Sequence, residues 1–215
     1  MAELPAFIPD VTGVILAGGR SRRFGANKAL ADLAGRPLIA HVAAVLRGLF
    51  ASCLVVTDKP TAYAFLGLPT TGDLYPGNGP LAGIHAALRC ISTPYAFVTA
   101  CDMPGLNPEL LRFFCTLSAN ADWQAVLPGL TTGPEPLFGL YRQEAADPIE
   151  QHLRAGQYRA ALALDDLRVR WVSETELLAV VPSFSVFTNV NRPEDLATIK
   201  HGPAPLSAIR REDGK

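Results

Sequence analysis

The amino-acid sequence predicts an α/β fold in which helices cover both faces of a mostly parallel sheet, giving three layers, α/β/α. Three observations predict it. Runs such as "VTGVILA" are apolar and rich in β-branched residues, the composition of a strand buried on both faces. Between such runs the apolar residues recur at helical spacing. The two patterns alternate along the chain, with no internal repeat and no linker that would mark a second domain.

Taken in order, "VTGVILA" is a central strand that ends at Gly18-Gly19. In "GRPLIAHVAAVLRGLF", Pro37 can occupy a first helical turn, and Leu38, Val42, Val45, Leu46 and Leu49 form one face. "SCLVVT" is a second strand, and "LAGIHAALRCI" is a helix with Leu81, Ile84, Leu88 and Ile91 on one side. "YAFVTA" is a third strand that runs into "CDMPGLNPELL". There Asn107 caps a helix whose first residue is Pro108, and Glu109 lies near the positive end of its dipole. "WQAVLP" and "EPLFGLYR" read as strands, and "DPIEQHLRAG" as a helix with Asp147 as cap, Glu150 completing a capping box and Gly156 as stop. "VRWVSE" and "FSVFTNV" complete the strands. Residues 1–10 are read as an N-terminal extension, 11–200 as one domain, and the proline-containing, charged stretch 201–215 as a flexible tail.

With 215 residues and 49% hydrophobic content, the chain can bury an ordinary core. A formal net charge of -1 argues against a general nucleic-acid binder, so anion recognition has to be local. Cys53, Cys90, Cys101 and Cys115 form no metal-binding or disulfide pattern, and reduced thiols in a cytoplasmic protein are the expectation. The start "MAELPAFIPD" lacks the basic region of an export signal, and no apolar run approaches the ~20 residues that span a bilayer. His41, His85, His152 and His201 lack ligand spacing and read as structural or exposed.

Positive charge is concentrated in one place. "VILAGGRSRRFGANKAL" sets three arginines and a lysine directly after the first strand and its glycine pair. It is neither the dinucleotide fingerprint nor the P-loop: Gly18 and Gly19 are adjacent, and Gly25 is followed by Ala26. Such a loop can still cradle phosphates with backbone N–H groups while Arg and Lys neutralise them. Alone, it also suits a solvated turn. Ligands of open α/β sheets bind outside the carboxyl ends of the strands, where both this loop and Asp102 fall.

At these residues the sequence resembles a known family. "LAGGRSRRFGANKAL" is similar to the signature of nucleotidyltransferases, and most similar to that of the molybdenum cofactor guanylyltransferases. "GDLYPGNGPLAGIHAAL", "FVTACDMPGLNPELL" and "VFTNVNRPEDLA" follow in the order the family shows, covering the chain from about Val11 to Lys200. The resemblance implies a single Rossmann-like nucleotidyltransferase domain with a mostly parallel mixed sheet. It implies GTP and molybdopterin as substrates, Mg²⁺ as cofactor, and partners among proteins of molybdenum insertion and molybdoenzyme maturation.

By the same resemblance, Leu16, Ala17 and Gly18 edge the nucleotide pocket, and Gly19 lets the triphosphate approach the backbone. Arg23 and Lys28 neutralise phosphates. Asp73 contacts the nucleoside, Asp102 holds Mg²⁺ at the α-phosphate, and Asn189 and Asn191 hold the acceptor. Taken singly, Asp73 and Asp102 also suit loop turns, and Asn191 also suits a cap ahead of Pro193. Departures from the family are Asn27 for a common aspartate, Phe24 for a methionine, Thr57-Asp58 where an asparagine often contacts the nucleoside, and Arg192 for a threonine. The sister reaction with CTP and a nucleotide sensor without catalysis are the competing readings.

Overall fold

The structure, a computed structural model, describes residues 7–18, 27–118, 122–190 and residue 195. Its elements run in the order β1 (Ile8–Leu16), β2 (Asp32–Leu33), β3 (Arg36–Pro37), α1 (Leu38–Leu49), β4 (Phe50–Val56), β5 (Thr70–Thr71), α2 (Pro80–Cys90) and β6 (Tyr95–Ala100). They continue with α3 (Pro108–Leu117), β7 (Ala125–Leu130), β8 (Gly133–Pro134), β9 (Phe138–Arg142), α4 (Ala146–Arg154), α5 (Ala160–Leu164), β10 (Val169–Ser173) and α6 (Glu174–Leu178). The main sheet has the order β10-β7-β9-β6-β1-β4-β5, with β8 on β7 and a separate β2-β3 hairpin.

β1 pairs in parallel with both β4 and β6, β4 with β5, and β10 with β7. β9 is inserted antiparallel between β6 and β7. The sheet is therefore mixed and mostly parallel, and its central strands send successive side chains into two separate cores. Ile15, Val55 and Phe97 point to the layer of α1 and α3, whereas Val14, Leu54 and Val98 point to that of α2 and α4. Burial on both faces is the physical reason these strands read as unbroken apolar runs rather than as alternations. Gly13 is needed for close packing of α1 on β1, since a Cβ there would lie 2.8 Å from Phe50 Cδ2 and 3.1 Å from Leu46 Cβ.

Three sequence expectations are corrected. "FSVFTNV" is no strand: Phe184–Phe187 form a short 3-10 helix, with the Ser183 side chain accepting from Ser185 N. Phe187 stacks edge-on against Phe138 at 5.0 Å, so packing of aromatic rings rather than strand pairing uses this apolar run. Asp147 lies inside α4, whose preceding residue Ala145 provides no side-chain cap, and Glu150 turns away to arginines instead of closing a capping box. Pro37 sits just ahead of α1, at the end of β3. The Asn107 cap stands as expected, its side chain accepting from Leu110 N at 2.9 Å.

Candidate active site at the strand ends

Past its last paired residue, β1 stays tied to both neighbours: Cys101 N donates to Leu16 O at 3.1 Å and Ala17 N to Val56 O at 2.9 Å. The backbone then emerges at Gly18, which is exposed, and a Cβ there would meet nothing within 4 Å. This places an accessible backbone edge at the middle of the sheet, flanked by the ends of β4 and β6. Gly19, Arg23 and Asn191 lie outside the described residues.

The chain returns at Asn27, whose side chain caps the short 3-10 helix Lys28–Leu30 by accepting from Ala29 N at 3.2 Å. The same amide donates through Nδ2 to the Tyr63 oxygen at 3.0 Å, leaving the tyrosine proton for Ala17 O at 3.4 Å. Asn27 thus fits its place without a negative charge. Its bonds anchor the first residues of the helix beside β1, and Lys28 Nζ pairs with Asp102 Oδ2. The two side chains are only 14% and 15% exposed, so the pair is partly desolvated rather than on open surface.

Asp102 occupies the turn after β6, and its carbonyl accepts from Val190 N at 3.0 Å. That bond brings Asn189 to the same end of the sheet, where its Oδ1 is buried without a hydrogen-bond partner among the described residues. A second acid arrives that sequence reasoning missed. The antiparallel ladder pairs Thr99 with Phe138. Glu135 lies just ahead of that pair, in a turn closed by Phe138 N bonding to Glu135 O at 3.3 Å, close enough to Asp102 to feel its charge. Burial raises the Glu135 carboxyl above its ordinary range, the bond from Leu137 N opposes this, and the charge of Asp102 raises it further. The signal, the glutamate of "EPLFGLYR", becomes readable only once β9 is known to run antiparallel to β6.

Across the sheet, Asp73 follows β5, and Thr57 and Asp58 follow β4. Thr57 is buried, its N–H bonded to Thr71 O at 2.9 Å and its hydroxyl accepting from Lys59 N at 3.0 Å. Asp73 Oδ1 accepts from Tyr75 N at 2.9 Å. Burial pushes the Asp73 carboxyl up, this bond pulls it back, and the neighbouring charge of Asp58 pushes it up again. The ends of β5 and β6 are separated by three strand spacings, roughly 14 Å at about 4.8 Å each. One site therefore has two ends: Lys28, Asp102, Glu135 and Asn189 at one, Thr57, Asp58 and Asp73 at the other, and the open edge of β1 between them.

Among the described residues no group of three or more His, Cys, Asp or Glu could hold a metal ion by itself. What is present is a sparse oxygen set: the Asp102 carboxylate, the Glu135 carboxyl near it, and an Asn189 amide oxygen with no hydrogen-bond partner among the described residues. That set fits a hard dication that keeps several waters and takes its other ligands from phosphate oxygens.

Charged side chains gathered at the carboxyl ends of a mostly parallel three-layer sheet stand where open α/β sheets bind their ligands, as in the nucleotide-binding folds of this class. The model of the MobA-like NTP transferase domain matches residues 13–173. A "Probable molybdenum cofactor guanylyltransferase" of Pelotomaculum thermopropionicum is 40% identical over 187 residues, 87% of this chain and 90% of that protein. The molybdenum cofactor guanylyltransferase of Desulfosudis oleivorans is 37% identical over 198 residues, 89% and 97% of the two chains. The crystal structure of molybdopterin-guanine dinucleotide biosynthesis protein A from Archaeoglobus fulgidus superposes with a TM-score of 0.77 at 30% identity, covering 87% of this chain and 95% of that one. The chain belongs to the MobA-like NTP transferase family, and it is a nucleotidyltransferase.

Proposed function

We propose that this chain transfers GMP from GTP to the phosphate of molybdopterin, forming molybdopterin guanine dinucleotide and releasing pyrophosphate. The observation that carries the reading is the Lys28–Asp102 pair at the ends of β1 and β6, in a chain whose relatives are named for this reaction. A phosphate oxygen of molybdopterin attacks the α-phosphorus of GTP, the new O–P bond forms, and the bond to the β-phosphate oxygen breaks. The nucleophile is already anionic, so no serine, cysteine or general base is required. The protein has to align two polyanions and offset the charge that develops between them.

In this reading the main chain of Leu16, Ala17 and Gly18 edges the guanine pocket, Gly19 admits the triphosphate, and Asp73 contacts the nucleoside. Lys28 and Arg23 neutralise phosphate oxygens, and Asn189 and Asn191 hold the acceptor. Mg²⁺ is the divalent ion we assign; bound at Asp102, with the Asn189 Oδ1 that has no hydrogen-bond partner among the described residues at the same end, it would neutralise phosphate charge and polarise the α-phosphate. Lys28 then has to exchange Asp102 for phosphate oxygens as substrate enters. The proposal treats 11–200 as the nucleotidyltransferase domain with a tail over 201–215; the stretch 1–10 read as an extension already contributes Ile8–Asp10 to β1, where Ile8 pairs with Phe50. The bond from Val190 N to the Asp102 carbonyl supports carrying the domain past the family match. The four cysteines are free, which supports a reducing, cytoplasmic setting. Among the described residues, no helix is long and apolar enough to cross a membrane.

The test is mass spectrometry of the products formed with molybdopterin, Mg²⁺ and equal GTP and CTP. The guanine dinucleotide is the expected product. A cytosine dinucleotide would move the chain to the sister reaction, and nucleotide binding without product would leave a sensor.

A further inference from the structure

We infer that Tyr75 and Glu150 are positioning residues for nucleotide binding, through which α2 and α4 hold the loop 72–79 and thereby set the place of Asp73. The inference deepens the proposed function and stands on the reading of Asp73 as a nucleoside contact.

The loop joins β5 to α2 and contains neither helix nor strand. Gly72, Leu74, Pro76, Gly77 and Gly79 are exposed, and the left-handed φ of 82° at Gly77 and 78° at Gly79 demand glycine. Asn78 N bonds to Tyr75 O at 3.3 Å within the loop. A segment this exposed has many accessible backbone states unless a side chain ties it to the core. Tyr75 is that tie. Its ring packs against the core under α2 and α4 and meets the edge of the buried His85 ring at 5.4 Å. Its hydroxyl donates to Glu150 Oε1 at 2.9 Å, and its backbone N–H is the group that holds Asp73 Oδ1.

Glu150 is itself held from two helices. Arg154 Nη2 donates to Oε1 at 2.7 Å, Arg89 Nη2 to Oε2 at 2.6 Å, and Arg89 Nη2 also reaches Asp147 Oδ1 at 2.7 Å. The bond from Arg89, then those from Tyr75 and Arg154, lower the Glu150 carboxyl to about 2, so it accepts as a full carboxylate at neutral pH. Burial keeps His85 below its ordinary range. Arg89 Nε donates to His85 Nε2 at 3.3 Å, which assigns the ring proton to Nδ1. Arg89 would join α2 to α4 through Asp147 and Glu150 without any tyrosine. The Tyr75 hydroxyl adds something the helix pair does not need, a hydrogen bond from the loop that carries Asp73.

The experiment is calorimetric titration with GTP, together with kcat at saturating GTP, for Tyr75→Phe, Glu150→Ala, Glu150→Gln, Asp73→Asn and the double variant Y75F/D73N. Loss of a hydrogen bond to a charged acceptor predicts GTP affinity lowered about tenfold in Y75F and E150A. The kcat should stay within about twofold, the split expected when only uniform binding is lost. Glu150→Gln keeps an oxygen for Tyr75 and should recover most of the affinity, and the double variant should bind no more weakly than D73N alone. Wild-type affinity in Y75F overturns the inference, and because Y75F removes a single part-buried oxygen it decides the matter even where E150A fails to fold. A lowered Tm with unchanged GTP affinity in either variant assigns a purely structural role and overturns it likewise. Wild-type affinity in D73N, by contrast, overturns the nucleoside reading on which it stands.

Discussion

At the end of the site proposed to meet the nucleoside, Asp73 is fixed by a chain of bonds that runs through Tyr75 to Glu150 and two arginines, and every link is made inside the protein. At the end proposed to meet the phosphates, Lys28 pairs with Asp102, Asn189 Oδ1 has no hydrogen-bond partner among the described residues, and Glu135 adds a second acid. The difference suits what each end has to meet in the proposed reaction. A nucleoside is recognised by shape and a few placed acceptors, which favours groups already held in position. A triphosphate and a cation bring charge that must be matched on arrival, which favours groups able to exchange partners.

The largest way to break this comparison is Asp102→Asn. Transfer is expected to fall on the order of a thousandfold, in the range seen when a transition-state electrostatic contact is lost. The substitution exchanges a partly buried ion pair for a neutral amide contact, so stability should drop by about 1–3 kcal/mol while the fold persists. Circular dichroism and urea melts check the second point; a chain that no longer folds would make Asp102 architectural.

Lys28→Ala should act next, weakening GTP binding roughly tenfold and flattening its salt dependence, because one charge contact to phosphate is lost. Binding that keeps the wild-type salt slope would remove Lys28 from the phosphate site.

The smallest effect sharpens the contrast from the other end. Glu150 has its folded pKa depressed from 4.5 to about 2, so its contribution to stability is present above pH 4.5 and disappears as pH falls toward 2. Glu176, lowered to about 2 by its bonds with Ser173 and Arg170, behaves alike. Urea midpoints at pH 7 and pH 3 should differ less for Glu150→Gln than for wild type. An equal difference would place Glu150 outside the acid-sensitive set.

Much of the fold was legible because its signals are local. "YAFVTA" coincides with β6, and Asn107-Pro108 opens α3 as capping chemistry dictates. The pair Lys28 and Asp102 was legible from family motifs, although they lie 74 positions apart in the sequence. What stayed hidden needed long-range partners. Asp147 and Glu150 carry the spacing of a capping box, yet tertiary ion pairs with Arg89 and Arg154 win over the local pattern. Glu135 and Tyr75 gain meaning from strand order and from helices far along the chain. "FSVFTNV" has strand composition, but its phenylalanines cover the edge of an aromatic cluster instead.

The most direct measurement is pyrophosphate release by the purified protein with Mg²⁺ and molybdenum cofactor, supplied in turn with GTP, CTP or ATP and repeated without cofactor. Cofactor-dependent release from GTP alone, absent in Asp102→Asn, is the result the account predicts. Release from GTP that persists undiminished in that variant, or no release from any triphosphate despite GTP binding, would contradict it.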